Sequence, residues 1–513
     1  MNEVRADNLV VYRPRTAVRL TAALALVSLT LVICGTLAVT GLMKGRGAHD
    51  QLNFHEKVIR TFASQWPRPA FDDYLSATTP AYHVALAWAV NQGIDSTTGL
   101  RLVALTFTLG LLGTLGLWVG WRLDRTVAFA VCLPMALSLY VVQSGAWLLP
   151  DNLGWWMALG VLLLALRRRF DAWTLLLGGV LLALLVVCRQ IHIWAAAPLW
   201  VAAWLSADVE DNPAVFESPD GRVRETGLEL MTNMAVRLFH AFLAVMASAP
   251  AFAFLLLFHG LWGGLVPPTF QEMYRGETAT AAPVLASPAA PAFFLSIFGV
   301  VSLFFAGFLV QPMLVILRKW SILVPMAAAV GVILALLPET TYSEPNRTSG
   351  VWNAARMMPV LWGRTSVVFL VLSPLGAVAL LAWAWALSHR SRWIILSAVA
   401  GFVAAQCVSA QLWQRYTEPF VLILVALMTA EVGVARGVRT AQIVGPLALA
   451  VILASITTVK IATGPVATDR GRTTLREQTK MPRERVESNT PPDVSPHPED
   501  PPHDPLELPT PEP

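Results

Sequence analysis

Charge is scarce in this chain: only 14% of its 513 residues are Asp, Glu, Lys or Arg, against 55% hydrophobic and a mean hydropathy of +0.58. Soluble domains carry roughly 25% charged residues, so an ordinary cytosolic enzyme is excluded. Cysteine is scarcer still, with 4 in all. Cys34, Cys132, Cys188 and Cys407 each lie within or beside an apolar stretch, where a thiol behaves as a small hydrophobe. Neither a disulfide framework nor a zinc ribbon is indicated. The sequence shows no internal repeat and no strand-like alternation. Its net charge of +4 is spread among the connections, with no basic patch, and gives no sign of a nucleic-acid partner.

What is present is a succession of apolar stretches, many near the roughly 20 residues that a bilayer-crossing helix needs. The first runs from Leu20 to Met43 behind Arg5, Arg13, Arg15 and Arg19. It is longer than a signal-peptide core and lacks a small-residue cleavage site, so it is expected to remain as a first span. Further spans are predicted over 102–121, 127–148, 153–166, 173–187, 193–205, 234–257, 292–314, 322–337, 367–387, 393–412, 420–434 and 443–461. The fold class is therefore all-α, a polytopic membrane bundle of about thirteen crossings over residues 1–462. Residues 463–513 form a polar, proline-rich tail whose composition marks it as disordered.

Alternate connections carry Arg122 with Arg125, Arg167 to Arg169, Arg318 with Lys319, Arg390 with Arg392, and Arg436 with Arg439. The positive-inside rule places these and the N-terminus in the cytoplasm. Residues 173–205 are read as two short helices, because one helix would be roughly 50 Å long and would reverse that bias downstream. The loops 44–101, 260–291 and 338–364 and the turn 414–418 then face outward, and 206–232 faces inward. Asn346-Arg347-Thr348 in the third outer loop has the form of an N-glycosylation sequon. The membrane expected is the bacterial plasma membrane, with the endoplasmic reticulum as the alternative.

The first outer loop opens with His49-Asp50-Gln51-Leu52-Asn53-Phe54-His55-Glu56, a cluster of acids and imidazoles at the membrane surface. An apolar periodicity through Leu52, His55, Val58, Ile59 and Phe62 predicts a helix, for which Asp50 is a candidate N-cap. Capping leaves a carboxylate oxygen free to accept a proton, so Asp50 is also a candidate general base. Glu56 is held in reserve, and the Asp72-Asp73 pair ranks lower as solvated loop acids. Thr79 before Pro80 predicts a second short helix reaching Val90. His55-Glu56 begins the HExxH pattern of zinc peptidases, but the fifth position is Ile59, so the second ligand is missing and no metal is assigned.

Two arginines stand at the same predicted surface: Arg189 in Cys188-Arg189-Gln190-Ile191-His192, and Arg415 beside Tyr416. A rim arginine is costly, roughly 2.5–3.5 kcal/mol at mid-helix, and calls for a partner or a function. Snorkelling to headgroups is the bland reading, especially for Arg415. A guanidinium also grips phosphate with two prongs, and a lipid phosphate sits at this depth.

These elements resemble the GT-C superfamily of membrane glycosyltransferases. Within it, the stretch from Asp50 to His83 is similar to the dolichyl-phosphate-glucose alpha-1,2-glucosyltransferase family: Asp50, Phe54-His55, Trp66 and Thr78-Thr79-Pro80 with Tyr82 follow its first loop, and Arg189-Gln190 and Arg415-Tyr416 its later turns. Gln51 replaces the second acid of that family's pair, and one additional residue separates Asp50 from His55. The resemblance implies transfer of a hexose from a polyprenyl-phosphate donor to a glycan or lipid-linked acceptor, with no cofactor. It implies Asp50 as base, Arg189, Arg415 and Gln190 at the donor phosphate, and His55, Trp66, Tyr82 and Tyr416 positioning sugar or acceptor. A lipid-linked saccharide flippase and a non-catalytic membrane subunit remain the alternatives.

Overall fold

The computed structural model describes residues 16–167, 170–206, 227–277, 287–340, 350–409, 412–436 and 440–467. The proline-rich tail beyond 467, most of the inward loop 206–232, Arg168, Arg169, Arg439 and the sequon at Asn346 lie outside the described residues. Every stretch predicted to cross is mainly helical where described. Among the described residues six helices are long and apolar enough to cross a membrane, or up to eight when each bent pair counts as one span. Of the thirteen predicted stretches, Asp151–Ala165, Ala172–Cys188 and Leu323–Leu336 are shorter apolar helices, that at 193–205 is shorter still, and His389–Cys407 is not among the helices that qualify.

The helices that matter for the site are α1 (Thr16–Val39), α2 (Gly45–Asp50), α3 (Glu56–Ser64), α4 (Ala81–Asn91), α5 (Thr97–Gly120), α6 (Arg125–Leu137), α7 (Leu139–Ala146), α8 (Asp151–Ala165), α9 (Ala172–Cys188) and α10 (Ala196–Trp204). There follow α11 (Gly227–Trp262), α12 (Pro268–Glu277), α13 (Ala290–Phe304), α14 (Ala306–Lys319), α15 (Leu323–Leu336), α16 (Gly350–Met357), α17 (Val367–Ala386), α18 (His389–Cys407), α19 (Gln414–Arg436) and α20 (Val444–Thr463). A small antiparallel hairpin pairs Val360–Leu361 with Thr365–Ser366.

A helix that is apolar all round is a membrane span or a buried core helix. Both kinds occur here. In α19, 89% of the most apolar window is buried, while α1, α11 and α20 bury 22–33% and turn the remaining apolar surface outward. Around α19 the rings of Trp155, Phe402 and Phe420 stack, the last two with centroids 4.1 Å apart, and Trp194 stands edge-on to Phe420. An apolar groove of about 710 Å³ runs between α6 and α20, lined by Leu133, Leu137, Ala450 and Ala454.

The charged connections sort by end. Arg122 pairs with Glu431 at 3.0 Å, and the Arg390 guanidinium donates to the carbonyls of Ala165 and Arg167 at 2.9 Å each. These basic turns therefore meet at one end of the bundle, as the alternation of charge requires. The α6–α7 pair bends by 68° at Ser138. Close helix approach depends on glycine: a Cβ on Gly376 in α17 would overlap the Leu295 carbonyl oxygen of α13.

Gly376→Ala is expected to lower the melting temperature in detergent by an amount equivalent to about 2 kcal/mol or more. Gly260→Ala, at a position with open space, should be neutral or stabilising by up to about 1 kcal/mol. Equal melting temperatures for the two variants would contradict this packing.

Candidate functional site

The first outer loop opens with a continuous helix, α2 and α3 joined by a π-helical turn over Gln51–His55. Asp50 is the last residue of α2, with helical φ and ψ and no capping hydrogen bond. The N-cap expectation is thus corrected: the helix starts five residues earlier, at Gly45, whose φ of +79° suits glycine. The π turn closes i to i+5, so Asp50 and His55, five residues apart, return to one face. Gly47 lets α2 press on α7, since a Cβ there would stand 3.1 Å from the Trp147 ring. Thr79 is also not a cap. Pro80 occupies that position, and the Thr79 hydroxyl donates to the Val186 carbonyl at 2.7 Å.

Three residues remote in sequence meet at the end of the bundle opposite the Arg122 and Arg390 turns. Arg415 Nη1 donates to Asp50 Oδ2 at 2.5 Å, and Arg415 Nη2 to the Tyr416 hydroxyl at 3.0 Å. The Tyr416 ring lies between two guanidinium groups, Arg415 at 4.9 Å and Arg189 at 4.7 Å from its centroid. Arg189 is 6% exposed and donates to Asp151, 6% exposed, a partner that sequence reasoning missed. Pro150-Asp151 ends an apolar run and reads as an ordinary helix start; the only available signal was a buried arginine needing an acid. Arg46 stacks on Trp413 at 4.1 Å, and Trp413 on Tyr416, so the basic and aromatic side chains form one continuous stack. Arg189 Nε and Arg415 Nε are buried and make no hydrogen bond among the described residues.

Burial opposes ionisation of Asp50, but the Arg415 guanidinium and hydrogen bonds from His49 and Arg415 outweigh it and hold the carboxyl well below the usual carboxylate range. His55 is pushed down to about 4, first by burial and then by a balance in which Asp50 raises and Arg415 lowers it. Its Nδ1 faces His83 Nε2 at 3.0 Å, the rings stacked with centroids 5.3 Å apart. Burial lowers His83 as well.

The other sequence candidates fall away from the guanidinium pair. Glu56 accepts from Thr97 at 2.5 Å, Arg60 at 2.7 Å and Gln51 at 2.8 Å. Burial raises its proton affinity, and those bonds more than reverse the effect. Gln190 clamps loops: its amide nitrogen donates to Ala77 and Leu265 carbonyls, and its oxygen accepts from the Thr79 amide. Tyr82 is buried in an apolar cluster with Ile59, Leu86, Leu100 and Leu148, its hydroxyl without a partner among the described residues. Trp66 is 41% exposed beyond the end of α3, roughly 20 Å along the helix from Asp50. Asp73 accepts from the Thr269 amide at 2.9 Å and fastens the loop to α12.

A cavity of about 10 Å³ lies among Tyr140, Gln143, Asp151, Asn152 and Arg415, room for about one water. Among the described residues no three His, Cys, Asp or Glu side chains gather as a metal-holding set. No protein-family model and no curated protein sequence matches the chain. Among solved structures it is similar to the archaeal oligosaccharyltransferase AglB from Archaeoglobus fulgidus, in complex with an inhibitory peptide and a dolichol-phosphate, at 13% identity and a TM-score of 0.37. The match covers 95% of this chain and 61% of that one, less than two thirds of its length.

Because His55 titrates lower in the folded chain than its ordinary value of 6.5, the unfolded chain binds the extra proton between those limits. Stability is therefore expected to fall as pH drops from about 6.5 towards 4, by about 1.4 kcal/mol for each unit of depression. The Asp50 contribution is lost only below about 4. Melting in detergent at pH 7.5 and 5.0 checks this: His55→Gln should flatten the profile, and a level wild-type profile would refute it.

Proposed function

We propose that this chain is an integral-membrane, inverting glycosyltransferase that moves a hexose from a polyprenyl-phosphate carrier to a hydroxyl acceptor on the outer, periplasmic or lumenal, side. The observation that carries this reading is the meeting of Asp50, Arg189 and Arg415 around Tyr416, with two buried guanidinium Nε–H groups left as donors. A phosphodiester offers acceptors of the geometry that a guanidinium fork selects.

Transfer requires the acceptor oxygen to attack the anomeric carbon while the bond to phosphate oxygen breaks. The hydroxyl proton passes to a carboxylate, and the electron pair leaves with the phosphate. Asp50 is the base in this scheme. While Arg415 holds it, its low proton affinity makes it a weak one. A phosphate competing for Arg415 would draw the guanidinium away, so donor binding itself would raise the basicity of Asp50. Arg189, oriented by Asp151, and Arg415 would stabilise charge gathering on the departing phosphate. The closed cavity implies that these ion pairs part as the donor enters.

Asp50→Asn should cut transfer by about 10²- to 10⁴-fold with donor binding retained. Full activity in that variant, paired with loss in Asp151→Asn, would move the base to Asp151; full activity in both would end the enzyme reading. Arg189→Ala leaves Asp151 buried and unpaired, at a cost of about 3–5 kcal/mol, so Arg189→Lys is the cleaner probe. It keeps the charge, loses the fork, and should raise the donor KM about tenfold. An unchanged KM and rate would count against a phosphate at this position.

A further inference from the structure

Next to Asp50, Gln51 is fully buried, and its side chain is hydrogen-bonded at both ends. Its amide nitrogen donates to Glu56 Oε2 at 2.8 Å. Its oxygen accepts from Arg101 Nε at 3.0 Å and from the backbone amide of Leu148 at 3.2 Å. Leu148 stands three residues before Asp151, in the turn that ends α7, and that turn is held further by the Trp147 indole donating to the Leu42 carbonyl at 3.0 Å. One side chain thus joins the helix carrying Asp50 to the turn carrying Asp151.

We infer that Gln51 is a positioning residue that sets the distance between the Asp50 and Asp151 segments, and that an amide is required there because the cation of Arg101 and the anion of Glu56 take its two ends. The inference rests on the reading of these acids as parts of a transfer site. A carboxylate at position 51 would still accept from Arg101 and Leu148, but it would have nothing to donate to Glu56, and two anions would face each other in a buried place. Alanine would leave the Arg101 Nε and the Glu56 oxygen each short of a bond. Exchanging the two groups restores every one of them. When Gln51→Glu is combined with Glu56→Gln, the amide placed at position 56 donates to the carboxylate placed at position 51, while its oxygen accepts from Thr97 and Arg60.

The test is a double-variant cycle on the full chain in nanodiscs, using the polyprenyl-phosphate hexose that the unaltered chain turns over fastest from a panel. Gln51→Ala and Gln51→Glu should each lower kcat about 10- to 100-fold, as small misplacements of reacting groups do, with the donor KM within about twofold. The exchange variant should recover kcat to within about threefold and regain the melting temperature that Gln51→Glu loses. Wild-type kcat in Gln51→Ala, a change confined to KM, or an exchange variant no better than Gln51→Glu would overturn the inference. If Gln51→Ala fails to fold, the exchange variant decides. If the unaltered chain turns over no member of the panel, the functional reading falls and the positioning role with it. The melting-temperature cycle, which needs no donor, then separately scores the match between amide and carboxylate.

Discussion

The site depends on two ion pairs sunk at one end of a helical bundle, Arg415 with Asp50 and Arg189 with Asp151, sharing the ring of Tyr416. Each buried charge costs several kcal/mol unless its partner is well placed. Four segments far apart in the chain must therefore arrive together: the end of α2, the start of α8, the break after α9 and the start of α19. The surrounding design serves that requirement. The rings of Trp155, Phe402 and Phe420 stack, with Trp194 edge-on to Phe420, and α19, the most enclosed of the long helices, carries Arg415 and Tyr416 at its first turn.

The same arrangement stores a conflict that chemistry can use. A base is most effective when it is not held by a cation, yet a carboxylate without one could hardly remain ionised at 8% exposure. Arg415 resolves this only while no other anion is present. In the proposed function Asp50 and an incoming phosphate are rivals for one guanidinium, and that rivalry links binding of the donor to activation of the base.

Much of this was legible in the sequence, for a physical reason. An arginine in an apolar setting demands a partner, so Arg189 and Arg415 stood out. The alternation of basic connections placed both on the same side as Asp50, and the resemblance drew the three to one site. Asp151 was not legible because an acid after Pro150 looks like a common helix start, and its partner lies 38 residues on. Tyr82 and Glu56 stood out by residue type, which suits sugar binding and proton transfer; that Tyr82 is buried against leucines and that Glu56 accepts from Thr97, Arg60 and Gln51 leaves no mark in a sequence pattern. The π turn was hidden because an added residue in a helix leaves no mark in composition, only a local change of winding. Only some of the predicted stretches reach the length of a full crossing in one straight helix, because apolarity marks a helix as dry without fixing its length.

The strand-like contact of Lys44 with Val466 joins the approach to α2 to the residues just after α20, through bonds from Gly45 to the Pro465 carbonyl and from Ala467 to the Met43 carbonyl. The segment that delivers the acid is thus fastened by a span synthesised long after it. As the ribosome works, the first loop emerges early, and this one of its fastenings can form only after α20 has been made. A nascent chain, or one clipped ahead of that helix, would carry every charged residue of the site and still lack this clasp.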